Sequence, residues 1–195
     1  MATRTDSTSD HWWLDKQLPR IKENTEAPSI SSMTDEQIIK LAELKAQEIS
    51  YKYDGKIDRC LQQLGGELRY IDFWKNYGTE NGSIWIVSPK KFAIWLSERA
   101  SKRLNLYTIA HELGHYFVHY IHSDISKTDK FLVATRYGEG AVERQADIFA
   151  INLLAPSHVV KRMLDAEGDI EHVSNLLCVD RYLIDQQISR FNLEY

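Results

Sequence analysis

The spacing of apolar residues changes period twice along the chain. Between residues 34 and 49 they fall at Ile38, Leu41, Ala42, Ala46 and Ile49, the stripe of an amphipathic helix. Thr34 followed by Gln37 has the form of a capping box, in which each side chain satisfies an orphan backbone donor at the helix start. A second helical stripe runs through Ile57, Cys60, Leu61 and Leu64, and Gly65-Gly66 supplies a left-handed stop. The period then shortens. Segments 67–73, 83–88 and 91–97 are short, aromatic and β-branched, with turn signals at Gly78, Asn81-Gly82 and Pro89 between them. Ile84 and Ile86 share one face, as do Phe92, Ile94 and Leu96, which predicts a small meander with one face on the helices.

From Leu104 the helical period returns and persists through Tyr120. Residues 123–140 are polar and include Gly138 and Gly140, so they predict a long flexible loop. A helix over about 141–154 ends before Pro156, and 157–195 predicts two or three short helices around Val159, Leu164, Val173, Leu177, Ile184 and Ile188. Residues 1–32 are rich in Ser, Thr and charge, contain Pro19 and Pro28, and predict a flexible N-terminal tail. Within it His11-Trp12-Trp13 reads as an anchor folded back on the domain, or as a partner-binding or self-inhibiting plug. The expectation is an α+β, mainly helical single domain with a small three-stranded sheet. The tail at 1–32 is followed by a core at 33–156 and a C-terminal helical segment at 157–195 packed on that core.

Length and charge narrow the classes. At 195 residues the chain is long enough for one domain and short for two. A formal charge of -4 opposes a general nucleic-acid binder and a polybasic membrane-surface protein. The two cysteines, Cys60 and Cys178, form no CxxC and read as buried free thiols. The first residues have no apolar core like that of a secretion signal, and no run reaches the ~18 apolar residues of a membrane span. The expected location is the cytoplasm, with no membrane and no direct nucleic-acid partner.

The stretch 108-TIAHELGHYF-117 carries the chemistry. His111 and His115 stand at i and i+4, one turn apart on one helical face, where two imidazoles can reach one ion with bonds of roughly 2 Å. Glu112 adjoins the first histidine and can flank the metal without binding it, the place of a general base acting on water held there. The apolar flanks embed these residues in a largely buried helix, where uncompensated polar groups would be costly. Gly114, unfavourable inside a helix, predicts that another backbone approaches closely.

A catalytic zinc takes three protein ligands and keeps one position open. His119 lies roughly 12 Å along the helix axis from His111, so it reads as a packing or supporting residue rather than a ligand. The pattern HExxHxxGxxH fails at Val118 and Ile121. In 143-ERQADIFAINLLAP-156, Glu143 and Asp147 stand at i and i+4. Glu143 can complete a His2Glu set, and Asp147 can accept the ring N–H of a ligating histidine. Glu139, between two glycines, is the competing ligand. Tyr107, Tyr116 and Tyr137 are candidates for an oxyanion donor, with Tyr137 preferred. Trp85, Trp95 and Phe92 are candidates for substrate pockets beside an exposed sheet edge.

The two segments RLNLYTIAHELGHYFVH (103–119) and ERQADIFAINLLAP (143–156) together resemble the ImmA/IrrE family of HExxH metallopeptidases. Asp147 stands where that family often has Asn, and Ala155 where it often has Met. The likeness extends more weakly over 34–102 and the closing helices. It implies a gluzincin-like fold, with the small sheet packed on a zincin-type active-site helix. It also implies Zn2+ held by His111, His115 and Glu143, with Glu112 as base. Members of such a family are regulators carried by bacteria, phages and mobile elements. They cleave or inactivate a helix-turn-helix transcriptional repressor, and some act in toxin–antitoxin-like pairs. The expected activity is therefore that of a zinc metalloendopeptidase with a protein substrate, a repressor or an antitoxin. Two other readings stand beside it: a catalytically weak, metal-bearing module that titrates such a partner, and a DNA-binding regulator using 157–195. The acidic excess of that last segment opposes phosphate contact.

Overall fold

The computed structural model of the protein describes residues 24–71, 83–135 and 140–190. His11-Trp12-Trp13, the turn signals at Gly78 and Asn81-Gly82, Tyr137 and Glu139 lie outside the described residues.

The architecture is α+β. Helix α1 (Asp35–Tyr53) starts at the capping box: the Gln37 N–H donates to Thr34 Oγ1 at 3.3 Å, and the Thr34 N–H donates to Gln37 Oε1 at 2.8 Å. Ile38, Ile39, Ala42 and Ile49 form its buried stripe. Helix α2 (Ile57–Gln63) is followed by Gly65 at φ +83, and the chain turns into the sheet.

That sheet has five strands among the described residues, rather than three. They are β1 (Thr25–Glu26), β2 (Gly66–Ile71), β3 (Ser83–Ser88), β4 (Lys91–Ser97) and β5 (Phe131–Thr135), in the order β1-β5-β3-β4-β2. β3 is antiparallel to both β4 and β5, whereas β2 runs parallel to β4 and β1 parallel to β5. Ile84, Ile86, Phe92, Ile94 and Leu96 are fully buried on the helix-covered face, joined by Leu132 from β5. The alternate positions Trp85, Val87, Trp95, Phe131 and Val133 pack together on the other face.

Both added strands correct an expectation. β5 lies within 123–140, read from sequence as a flexible loop, and Asp124–Lys127 forms a 3-10 turn before it. Residues 24–32, read as part of the mobile tail, are tied down as well. Thr25 and Glu26 pair with Phe131 and Leu132, and the Phe131 N–H donates to the Asn24 carbonyl at 3.0 Å.

Helix α3 (Lys102–Gly114) is capped by the Ser101 side chain and passes under the sheet, with every residue from Thr108 to Gly114 buried. The expected continuous helix through Tyr120 instead widens into a π-helical stretch at His115–Ile121. Its last turn is closed by the His122 N–H on the Phe117 carbonyl, an i to i-5 bond. Helix α4 (Ala141–Leu154) buries Gln145, Ala146, Phe149, Ala150, Asn152 and Leu153 against α1 and α3.

Helices α5 (Ser157–Glu167), α6 (Ile170–Leu177) and α7 (Arg181–Arg190) enclose a smaller core of Val160, Leu164, Val173, Val179, Leu183 and Ile184. Tyr107 and Leu154 pack against both cores. Asn152 Oδ1 accepts from Gln187 Nε2 at 3.0 Å, which ties α7 to α4. Cys60 is buried, as expected. Cys178 is only partly buried and sits in the left-handed conformation that ends α6.

Candidate metal centre

Two helices meet at Gly114. A Cβ built there would lie 2.9 Å from both the Cα and the carbonyl oxygen of Ala146. The missing side chain lets the α4 backbone rest on α3, the close approach that the glycine predicted. Glu143, one turn before Ala146, is thereby brought beside the two histidines. It occupies the first turn of α4, where the helix dipole favours a carboxylate.

The three side chains converge. His111 Nε2 lies 3.0 Å from Glu143 Oε2 and 3.2 Å from His115 Nε2, and His115 Nε2 lies 3.5 Å from Glu143 Oε1. Among the described residues these three form one group whose ligand atoms all lie within 4.8 Å of one another. Donors to a tetrahedral ion with bonds near 2 Å stand roughly 3.3 Å apart. The observed edges, which reach the two oxygens of the Glu143 carboxylate, bracket that value, so two nitrogens and this carboxylate fit a divalent cation.

The electrostatics point the same way. His111 Nδ1–H donates to Asp147 Oδ1 at 2.8 Å. A neutral His111 therefore turns a bare Nε2 towards the Glu143 carboxylate, an arrangement that repels unless a positive charge lies between. Without a metal, a proton takes that place. Burial disfavours the imidazolium, but hydrogen bonds to Asp147 and Glu143 outweigh it and raise His111 to about 9. Burial likewise opposes ionised Glu143, and the hydrogen bond from His111, with the His115 ring close by, overcomes it and holds the group down at about 2. Asp147 is also burdened by burial, yet is lowered by His111 and by Tyr107, whose hydroxyl donates to it at 2.7 Å.

Glu112 is 1 % exposed, and its charge adds to the field that favours a cation at His111. His119 is fully buried with Nδ1 3.0 Å from His115 Nδ1. Its burial, reinforced by the neighbouring His115, depresses it to about 4. The Tyr116 hydroxyl is committed to the Pro89 carbonyl, while its ring stacks on Phe92 at 4.4 Å. Phe92 is therefore a core residue. Trp85 and Trp95 meet edge to face at 5.7 Å on the sheet face turned away from the helices. Sequence reasoning missed Gln145, a neutral residue whose partner Ser31 lies 114 positions away.

A family model described as the IrrE N-terminal-like domain, of the peptidase family Peptidase_M78, matches residues 72–186, more than half of the chain. The chain belongs to this family. The match spans the sheet from β3 onwards, both helices of the centre and most of the C-terminal helices. It makes this IrrE-like domain a metallopeptidase domain, in agreement with the metal-fitting group of His111, His115 and Glu143. No curated protein matches the chain in a sequence search.

Proposed function

We propose that this IrrE-like domain is a zinc-dependent endopeptidase that cleaves or inactivates a protein partner, a helix-turn-helix repressor or an antitoxin. The observation that carries the reading is the convergence of His111, His115 and Glu143 beside the buried Glu112. An N, N, O donor set with one open position is that of a hydrolytic zinc site. When bound, zinc would polarise a peptide carbonyl and acidify a water molecule.

The remaining work falls to the chain. Glu112 takes the proton of the attacking water and returns it to the leaving amine. Asp147 keeps the His111 ring oriented, and Tyr107 holds Asp147. Burial of His111, Glu112 and His115 keeps bulk water from screening these charges. Tyr137 is proposed as the oxyanion donor, because Tyr116 is committed to Pro89 and Tyr107 to Asp147. An extended substrate would pair with a sheet edge. Among the described residues, β5, which leads into the Glu143 helix, has only Thr25 and Glu26 paired along its outer side. Cytoplasmic action is proposed from the nature of such a partner; no helix among the described residues is long and apolar enough to cross a membrane.

The test uses a helix-turn-helix protein encoded by a neighbouring reading frame, incubated with wild type and with Glu112→Gln, each loaded with zinc. The wild type should yield fragments. Glu112→Gln should keep its zinc and lose roughly 10²–10⁴-fold in cleavage rate, the range of general acid–base catalysis. Equal inactivation of the partner by both proteins would replace the enzyme with a titrating module.

A further inference from the structure

We propose that Gln145 and His119 fix the ring tautomer of His115, so that its Nε2 presents a bare lone pair to the metal. The inference rests on the reading of His111, His115 and Glu143 as the metal centre, and it adds two positioning residues that do not touch the ion.

The chain of hydrogen bonds begins outside the centre, at the segment that follows β1. A backbone N–H can only donate and a backbone carbonyl can only accept. The Ser31 N–H reaches the Gln145 side-chain oxygen at 2.9 Å, and Gln145 Nε2 reaches the Ser31 carbonyl at 3.0 Å and the Met33 carbonyl at 3.4 Å. These opposed bonds settle which end of the amide is oxygen. That oxygen lies 3.1 Å from His119 Nε2 and can only accept, so His119 carries a proton on Nε2. His119 is fully buried and bonds a neutral amide and a ring nitrogen rather than a carboxylate, surroundings that suit a neutral ring. Its Nδ1 is then bare. His115 Nδ1, 3.0 Å away, must donate, because two bare nitrogens at that distance would repel. In neutral His115 the bare nitrogen is therefore Nε2, which lies 3.2 Å from His111 Nε2 and 3.5 Å from Glu143 Oε1.

The two ligating rings are thus held differently. His111 donates to the charged Asp147, whereas His115 donates into a neutral chain that ends on the backbone of Ser31. A neutral support orients the ring without adding a second outer carboxylate, and so preserves more of the ion's positive charge for catalysis. It also ties a metal ligand to residues 31–33, far from the centre in sequence.

Two measurements test this. In the first, long-range 1H–15N correlation spectra of metal-free wild type report the protonated nitrogen of His115. The expected pattern is a proton on Nδ1 and a bare Nε2; a proton on Nε2 overturns the proposal whether or not the protein takes up zinc. In the second, zinc affinity is measured by chelator competition for wild type, His119→Leu and His119→Asn, with a thermal melt of each metal-free protein alongside. Leucine removes the acceptor, and affinity should fall roughly 10–100-fold, the usual effect of losing a ligand's hydrogen-bond partner. Asparagine can place its amide oxygen near the former Nδ1 and should recover most of that loss. Equal affinities for the two variants, or losses that follow melting temperature alone, overturn the proposal. Failure of wild type to bind zinc would instead strike the metal-centre reading, leaving the first measurement to decide the tautomer.

Discussion

Gly114 and Ala146 touch backbone to backbone: a methyl group at position 114 would sit 2.9 Å from the Ala146 carbonyl oxygen. This contact sets the distance between the helix that bears the histidines and the helix that bears Glu143. Gly114→Ala gains about 1 kcal/mol of helix propensity, but overpacking against a backbone typically costs 1–3 kcal/mol. The expected result is a net loss of up to about 2 kcal/mol, read as a Tm lower by a few °C, together with weaker metal uptake as Glu143 is pushed away. A variant with unchanged melting and metal affinity would show that the helix spacing is not set here.

Asp147 is expected to act on His111 as an acceptor more than as a charge. Asp147→Asn can still accept the Nδ1–H, so its zinc affinity should stay within several-fold of wild type. Asp147→Ala should lose roughly 10–100-fold. Competition titration of both variants checks this, and an Asn variant as weak as Ala would mean that the negative charge is what matters.

The metal-free protein should have a stability maximum in mildly acid solution. His111 is raised in the folded state, so its contribution is complete below the unfolded value near 6.5 and is lost as pH climbs through about 9. Glu143 is lowered, so its contribution is complete above the unfolded value near 4.5 and is lost as pH falls towards about 2. The His111–Glu143 hydrogen bond contributes to both shifts, beside the Asp147 bond to His111, so the two are not added. Between about pH 5 and 6.5 the pair is intact. Denaturant titrations at pH 6 and pH 9.5 should differ by an amount of the order of 2–3 kcal/mol, with the alkaline sample weaker. Saturating metal should remove the alkaline loss, because it replaces the proton. A metal-free protein equally stable at both values would contradict the link between His111 and the two carboxylates.

What could be read beforehand followed periodicity and short spacing. One helical turn separates His111 from His115, and another separates Glu143 from Asp147, so each pair's shared face was visible in the sequence. Strict alternation likewise exposed the buried sides of β3 and β4. β5 was hidden because its five residues sit among polar neighbours, and its deeply buried Leu132 and Ala134 make too short an alternation to stand out. β1 is two residues long and owes its conformation to a partner strand more than a hundred positions away. The π-helical widening at His115–Ile121 carries no marker in residue type, since it depends on how the helix end is packed. Gln145 looked like any helix-favouring polar residue until the Ser31 backbone was seen to clamp it.

The central claim is that His111, His115 and Glu143 hold one divalent cation. Metal analysis of the purified protein, beside Glu143→Ala prepared identically, tests it most directly. One zinc per chain is expected in wild type and near-complete loss in the variant, with the fold retained by circular dichroism. Equal metal content in the two proteins, or a correctly folded wild type that takes up none from excess zinc, would contradict it.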